Sequence, residues 1–165
     1  MRFLKLFVVC SALLVATAAP AFAQDSIGAG VSFYDDDIET GVGFNVDYSK
    51  AFVGNDQVAL AAVGEFGLNR FDEGDVTATS YLGGVRVQGA LANRVLPFGQ
   101  FLIGAEHCCD ATNLALQPGF GVDIAIGPRV NLRAQVDFRN VRYEDDINET
   151  YQRYTVGISL PLQRR

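Results

Sequence analysis

Between residues 129 and 139 apolar and polar positions alternate without a break. Val130, Leu132, Ala134, Val136 and Phe138 fall on one side, and Asn131, Arg133, Gln135, Asp137 and Arg139 on the other. Successive side chains of a β-strand point to opposite faces, so this period of two predicts a strand with one apolar face and one face carrying charges of both signs. The rhythm recurs along the chain. Residues 26–34 set Ile27, Ala29, Val31 and Phe33 against Ser26, Gly28, Gly30 and Ser32, and residues 40–48 set Val42, Phe44, Val46 and Tyr48 against Gly41, Gly43, Asn45 and Asp47. Further strands are predicted over 57–69, 77–88, 97–106, 114–126 and 150–162, the first of these with Val58, Leu60, Ala62, Phe66 and Leu68 opposite Glu65 and Asn69. Pro97 stands where a strand tolerates proline, at its start.

The connections alternate in character. Those after the first, third, fifth and seventh strands are acidic (35–39, 72–75, 144–149) or hold Cys108 and Cys109 (107–113); those after the second, fourth and sixth are read as shorter on average and carry Lys50, Arg94 and Arg129. Barrels of the outer-membrane type pair long external loops with short periplasmic turns, and this pattern predicts the same asymmetry. Beyond residue 24 no stretch is apolar for long enough to be a membrane helix, so a membrane form must be a closed barrel, the other structure that satisfies its backbone in hydrocarbon.

Alternation alone does not say which face is inside. A secreted soluble barrel of the lipocalin-like kind, binding a small apolar ligand, would turn its apolar face inward and show Lys and Glu to water. Here the polar face is rich in Gly, Ser, Asn and Gln, and Gly28, Gly30, Gly41, Gly43, Gly84, Gly119, Gly121 and Gly157 all lie on it. Small side chains suit the cramped interior of an eight-stranded barrel. Its charges also balance, with Asp47, Glu65, Asp123 and Asp137 matched by Arg86, Arg133, Arg139 and Arg153; buried charge is tolerable when paired. Phe33, Tyr48, Phe66, Tyr81, Phe98, Phe138, Tyr151 and Tyr154 fall near strand ends, as aromatic girdles would, although the chain has no Trp. The expectation is an all-β, eight-stranded antiparallel up-and-down transmembrane β-barrel with a filled polar interior and no open pore. Its role would be structural or in surface interaction, and the soluble lipocalin-like carrier is the alternative.

The N-terminus bears on the compartment. Arg2 and Lys5 precede an apolar run at 6–15, and Ala21-Phe22-Ala23 supplies a small-x-small cleavage site, which reads as a secretory signal peptide over 1–23 rather than a membrane anchor. Residues 24–165 then form one barrel domain. The net charge of −6 becomes −8 once Arg2 and Lys5 leave, and this argues against nucleic acid as a partner.

The last strand reads Thr155-Val156-Gly157-Ile158-Ser159-Leu160-Pro161-Leu162. It resembles the C-terminal assembly signal of bacterial outer-membrane proteins, departing from it in ending on leucine and in the trailing Gln163-Arg164-Arg165. Nearly the whole of 24–165 resembles the small eight-stranded outer-membrane barrels, the group that includes OmpA-like transmembrane domains and opacity-like porin-family proteins. The resemblance implies a barrel in the outer membrane of a Gram-negative cell envelope with both termini in the periplasm. Its partners would be membrane lipid, lipopolysaccharide and, through residues 155–162, the assembly machinery; the barrel would be a monomer without a cofactor. It implies no single activity, since members serve as adhesins, anchors, resistance factors and occasionally lipid enzymes.

Few residues could carry chemistry. His107 is the sole histidine, and the lipid enzymes that resemble this chain use His with Ser and an acid. No serine sits two residues beyond His107 and no amphipathic helix precedes the barrel, so the expectation is that the protein is not an enzyme. Cys108 and Cys109 are adjacent, and no other cysteine lies in 24–165. Four readings stand: a vicinal disulfide, an intermolecular bridge, capture of a soft metal with His107, or a clip that stiffens a loop. The acidic connection at 34–40 is echoed at 143–150, and Asp35, Asp36, Asp37, Asp145 and Asp146 are candidate ligands of a divalent cation, although their spacing matches no defined calcium loop.

Overall fold

The computed structural model describes residues 25–35, 40–55, 57–71, 76–91, 94–109, 111–142 and 148–162; the expected signal peptide lies outside them. They form eight strands: β1 (Ser26–Asp35), β2 (Thr40–Gly54), β3 (Val58–Phe71), β4 (Val76–Gly89), β5 (Val95–Cys108), β6 (Ala111–Ala125), β7 (Asn131–Arg142) and β8 (Asn148–Pro161). Each pairs antiparallel with the next, and β8 closes on β1 through ten residue pairs from Ser26↔Pro161 to Asp35↔Gln152. The sheet is a closed barrel with no free edge, so its backbone groups are satisfied without water.

The strands run further than the apolar alternation predicts. Residues 50–54, read as a turn, continue β2 through a bulge between Ala51 and Val53, and most of the segment read as the loop 107–113 is ladder, with Cys108 opposite Ala111. Hydrogen bonding in a closed sheet carries on past the last apolar side chain, which is where a reading by hydrophobicity stops. The expected difference in connection length vanishes with it. Four, four, two and five residues separate the strands at the acidic rim, and three, five and five at the other. The rims differ in charge and not in length.

Closing so few strands demands sharp curvature, and glycines supply the close backbone approaches. A Cβ on Gly84 would stand 2.0 Å from the Phe101 carbonyl oxygen of β5, and one on Gly104 2.0 Å from that of Tyr81 on β4. Gly99, on the outer face, has nothing within 4 Å of the same position. Gly84→Ala should therefore lower stability by about 1–3 kcal/mol through overpacking, while Gly99→Ala stays within about 0.5 kcal/mol of the parent. Urea unfolding of the two variants in lipid vesicles checks the contrast. Equal midpoints would remove the curvature argument.

The β6–β7 ladder has one gap. Its pairs pass from Leu116↔Asn140 to Gly119↔Asp137, and Pro118, which lacks an N–H, lies between them.

Candidate functional site: a charged interior within an apolar wall

The alternation resolves into two surfaces of opposite chemistry. Outward lie Ile27, Val31, Phe33, Phe44, Tyr81, Val85, Phe101, Ile103, Phe120, Leu132, Val156 and Ile158, all exposed. Inward lie Asp47, Glu65, Arg86, Asp123, Arg133, Asp137, Arg139 and Arg153, none more than 4 % exposed. This is the reverse of a soluble carrier, whose interior would be apolar, and the lipocalin-like alternative is thereby set aside.

The inner charges form two clusters stacked along the barrel. Toward the rim that carries Lys50 and Arg129, Arg133 places Nη1 2.7 Å from Asp47 Oδ2 and Nε 2.7 Å from Asp123 Oδ1, while Arg86 Nη2 lies 3.0 Å from Asp47 Oδ1. Ser159 donates to Asp123 at 3.0 Å. Toward the acidic rim, Arg153 reaches Glu65 through Nη1 and Asp137 through Nη2, both at 2.7 Å, and Arg139 Nη1 lies 2.7 Å from Glu106 Oε2. Tyr151 donates its hydroxyl to Glu106 at 2.8 Å, and the Tyr34 hydroxyl is hydrogen-bonded to the Asn69 amide. Gln100 joins the clusters, accepting from Arg86 Nη2 at 2.8 Å and donating to Asp137 at 3.2 Å. Gln117 ties Arg139 to Glu65 within the second. Each guanidinium thus meets carboxylate or amide oxygens in a fork, the arrangement that makes a buried cation tolerable.

Phe98 and Tyr151, expected in the girdles, are buried inside. The Phe98 ring lies 4.6 Å from the Arg86 guanidinium carbon and 5.0 Å from that of Arg133, between two cations that its π-face attracts. Glu106 is also buried and makes the described interior five carboxylates to four arginines, where four of each were expected. Parity within β5 carries the signal: Phe98 and Glu106 share the even positions with Gln100. Of the other girdle residues, Phe33, Tyr48, Tyr81, Phe138 and Tyr154 are exposed outward.

The cysteines end a hairpin. Both are free thiols in the structure, their Sγ atoms 2.9 Å apart against about 2.05 Å in a bond, so the vicinal disulfide, one of the four readings, is not formed here. His107 is engaged across the hairpin, its Nδ1 3.0 Å from Thr112 Oγ1, and among the described residues no three His, Cys, Asp or Glu side chains converge as metal ligands. Soft-metal capture by His107 with both cysteines is therefore not supported. Of the cation candidates, Asp36, Asp37, Asp145 and Asp146 lie outside the described residues. Asp35 ends β1, with its backbone opposite Thr40 and Gln152.

No family model and no curated protein sequence matches the chain. Solved structures do. The Neisserial surface protein NspA is similar with a TM-score of 0.62 at 14 % identity, over 84 % of this chain and 96 % of that one. PagL, an outer membrane enzyme, is similar with a TM-score of 0.60 at 13 % identity, over 84 % and 99 %. The attachment invasion locus protein Ail of Yersinia pestis follows with 0.55 at 18 %, over 83 % and 95 %. The fold is that of small eight-stranded outer-membrane barrels. PagL also corrects the expectation that the protein is not an enzyme. A barrel of this size and closure carries catalysis there, so the lack of a serine two residues beyond His107 does not exclude it here.

Proposed function

We propose that this chain is an outer-membrane β-barrel that is exported by a signal peptide at 1–23. Its role is structural or in surface interaction, and its lumen is occluded by the ion-paired side chains. The observation that carries the reading is the inversion of polarity: apolar side chains face outward all around the closed sheet, while charges sit within it. Hydrocarbon is the surroundings that makes such a wall stable. Occlusion is supported by the two clusters, which lie across the lumen of a strand number that side chains can fill. NspA is a surface protein and Ail an attachment invasion locus protein, which supports the interaction role. The partners proposed are membrane lipid and lipopolysaccharide along the wall and the assembly machinery at residues 155–162, with the barrel a monomer.

Fractionation and conductance test this together. The mature chain is expected in the membrane pellet, released by detergent and migrating differently on gels before and after heating. In planar bilayers it should give no steady conductance. Recovery in the soluble fraction without detergent would overturn the membrane reading, and steady channel currents would overturn the occluded lumen.

A further inference from the structure

The β5–β6 connection is the tightest in the barrel, since Cys108 pairs with Ala111 and two residues turn the chain between them. A two-residue hairpin loop matches strand twist best when its central residues take positive φ, a demand that Gly, Asn and Asp meet at least cost. Cys109 meets it here with φ 56°, alone among the described non-glycine residues. Its left-handed backbone brings Cys109 Sγ to 2.9 Å from Cys108 Sγ, closer than unbonded sulfurs ordinarily pack. The two thiols differ in access: Cys109 is exposed and Cys108 half-buried.

We infer that Cys108 and Cys109 form a reversible oxidation site in which an external disulfide, from a small thiol or another envelope protein, converts the two thiols into a vicinal disulfide. Cys109, as thiolate, attacks one sulfur of the external disulfide, and the first leaving thiolate takes up the proton that Cys109 lost. Cys108 then attacks the Cys109 sulfur of this mixed disulfide, losing its own proton to the second leaving thiolate. Two thiols are oxidised and one external disulfide is reduced to two thiols. Access assigns the order. An oxidising envelope, the compartment proposed above, would keep such a bond once formed.

The test uses the full barrel in detergent, reduced and then exposed to excess glutathione disulfide, with thiols counted after denaturation and the intact mass read without reductant. The expected product is a monomer with no free thiol, no attached glutathione and two hydrogens fewer, returning to two thiols on reduction. Cys108→Ser should retain glutathione on Cys109, and Cys109→Ser should react about tenfold more slowly or less. Two thiols persisting, a disulfide-linked dimer, or glutathione retained by the parent would each overturn the inference. None of these results bears on the membrane reading, which the fractionation decides separately.

Discussion

Arg153→Ala should cost the barrel about 3–5 kcal/mol, the largest loss expected of any single substitution in the interior. Arg153 is fully buried and bridges carboxylates on two other strands, Glu65 of β3 and Asp137 of β7, with 2.7 Å contacts to each. Removing it leaves Glu65 with Arg139, at 3.5 Å, and Gln117, and Asp137 with amide donors alone. The loss comes from stranding charge in a dry interior rather than from the worth of one bridge. It should appear as a lower urea midpoint and incomplete heat-modifiable folding. Arg153→Lys should recover part of it, because an ammonium cannot fork to both carboxylates. Coupling separates network from bystander: adding Asp137→Asn to Arg153→Ala should cost less than the sum of the two single changes. A loss near 0.5 kcal/mol, as for a surface change, would show that water reaches these groups.

The wall offers the complementary experiment. Val136 lies at the middle of β7, on the outward parity, opposite Phe120 of β6 and Tyr154 of β8. Val136→Arg places a guanidinium near the midplane of the proposed membrane. It should impair assembly and cost about 2–4 kcal/mol, read from refolding yield and unfolding in lipid vesicles. Val136→Leu keeps the wall apolar and should change little. An Arg variant that assembles like the parent would mean this face meets water, and the assignment of the two faces would fall.

Much of this architecture is legible in the chain because a strand exposes its two faces to different surroundings. In β7 the alternation is complete, and every odd position from Asn131 to Arg139 lies inside. β5 reads poorly for the converse reason. Its inward set, Phe98, Gln100, Leu102 and Glu106, mixes apolar and polar, so hydrophobicity carried no parity and the aromatic ring of Phe98 was assigned to a girdle. An arginine-rich lumen makes room for aromatics as π-faces for cations, a role that composition does not announce. The strand ends escaped for a different reason, since ladder hydrogen bonds depend on backbone geometry and not on side-chain polarity. The charge pairing was partly visible in numbers of residues, but who meets whom depends on register, as Arg153 meeting Glu65 across 88 positions shows.

The brevity of the connections sets how the molecule presents itself. A connection of five residues must go out and return, so at about 3.5 Å per residue it rises no more than about 9 Å beyond the strands that it joins. Whichever rim faces outward, connections of this length add little height to the strands. In the outer membrane proposed for it, proteases added to intact cells should find little connecting chain to cut, and antibodies raised against the denatured protein should bind such cells poorly.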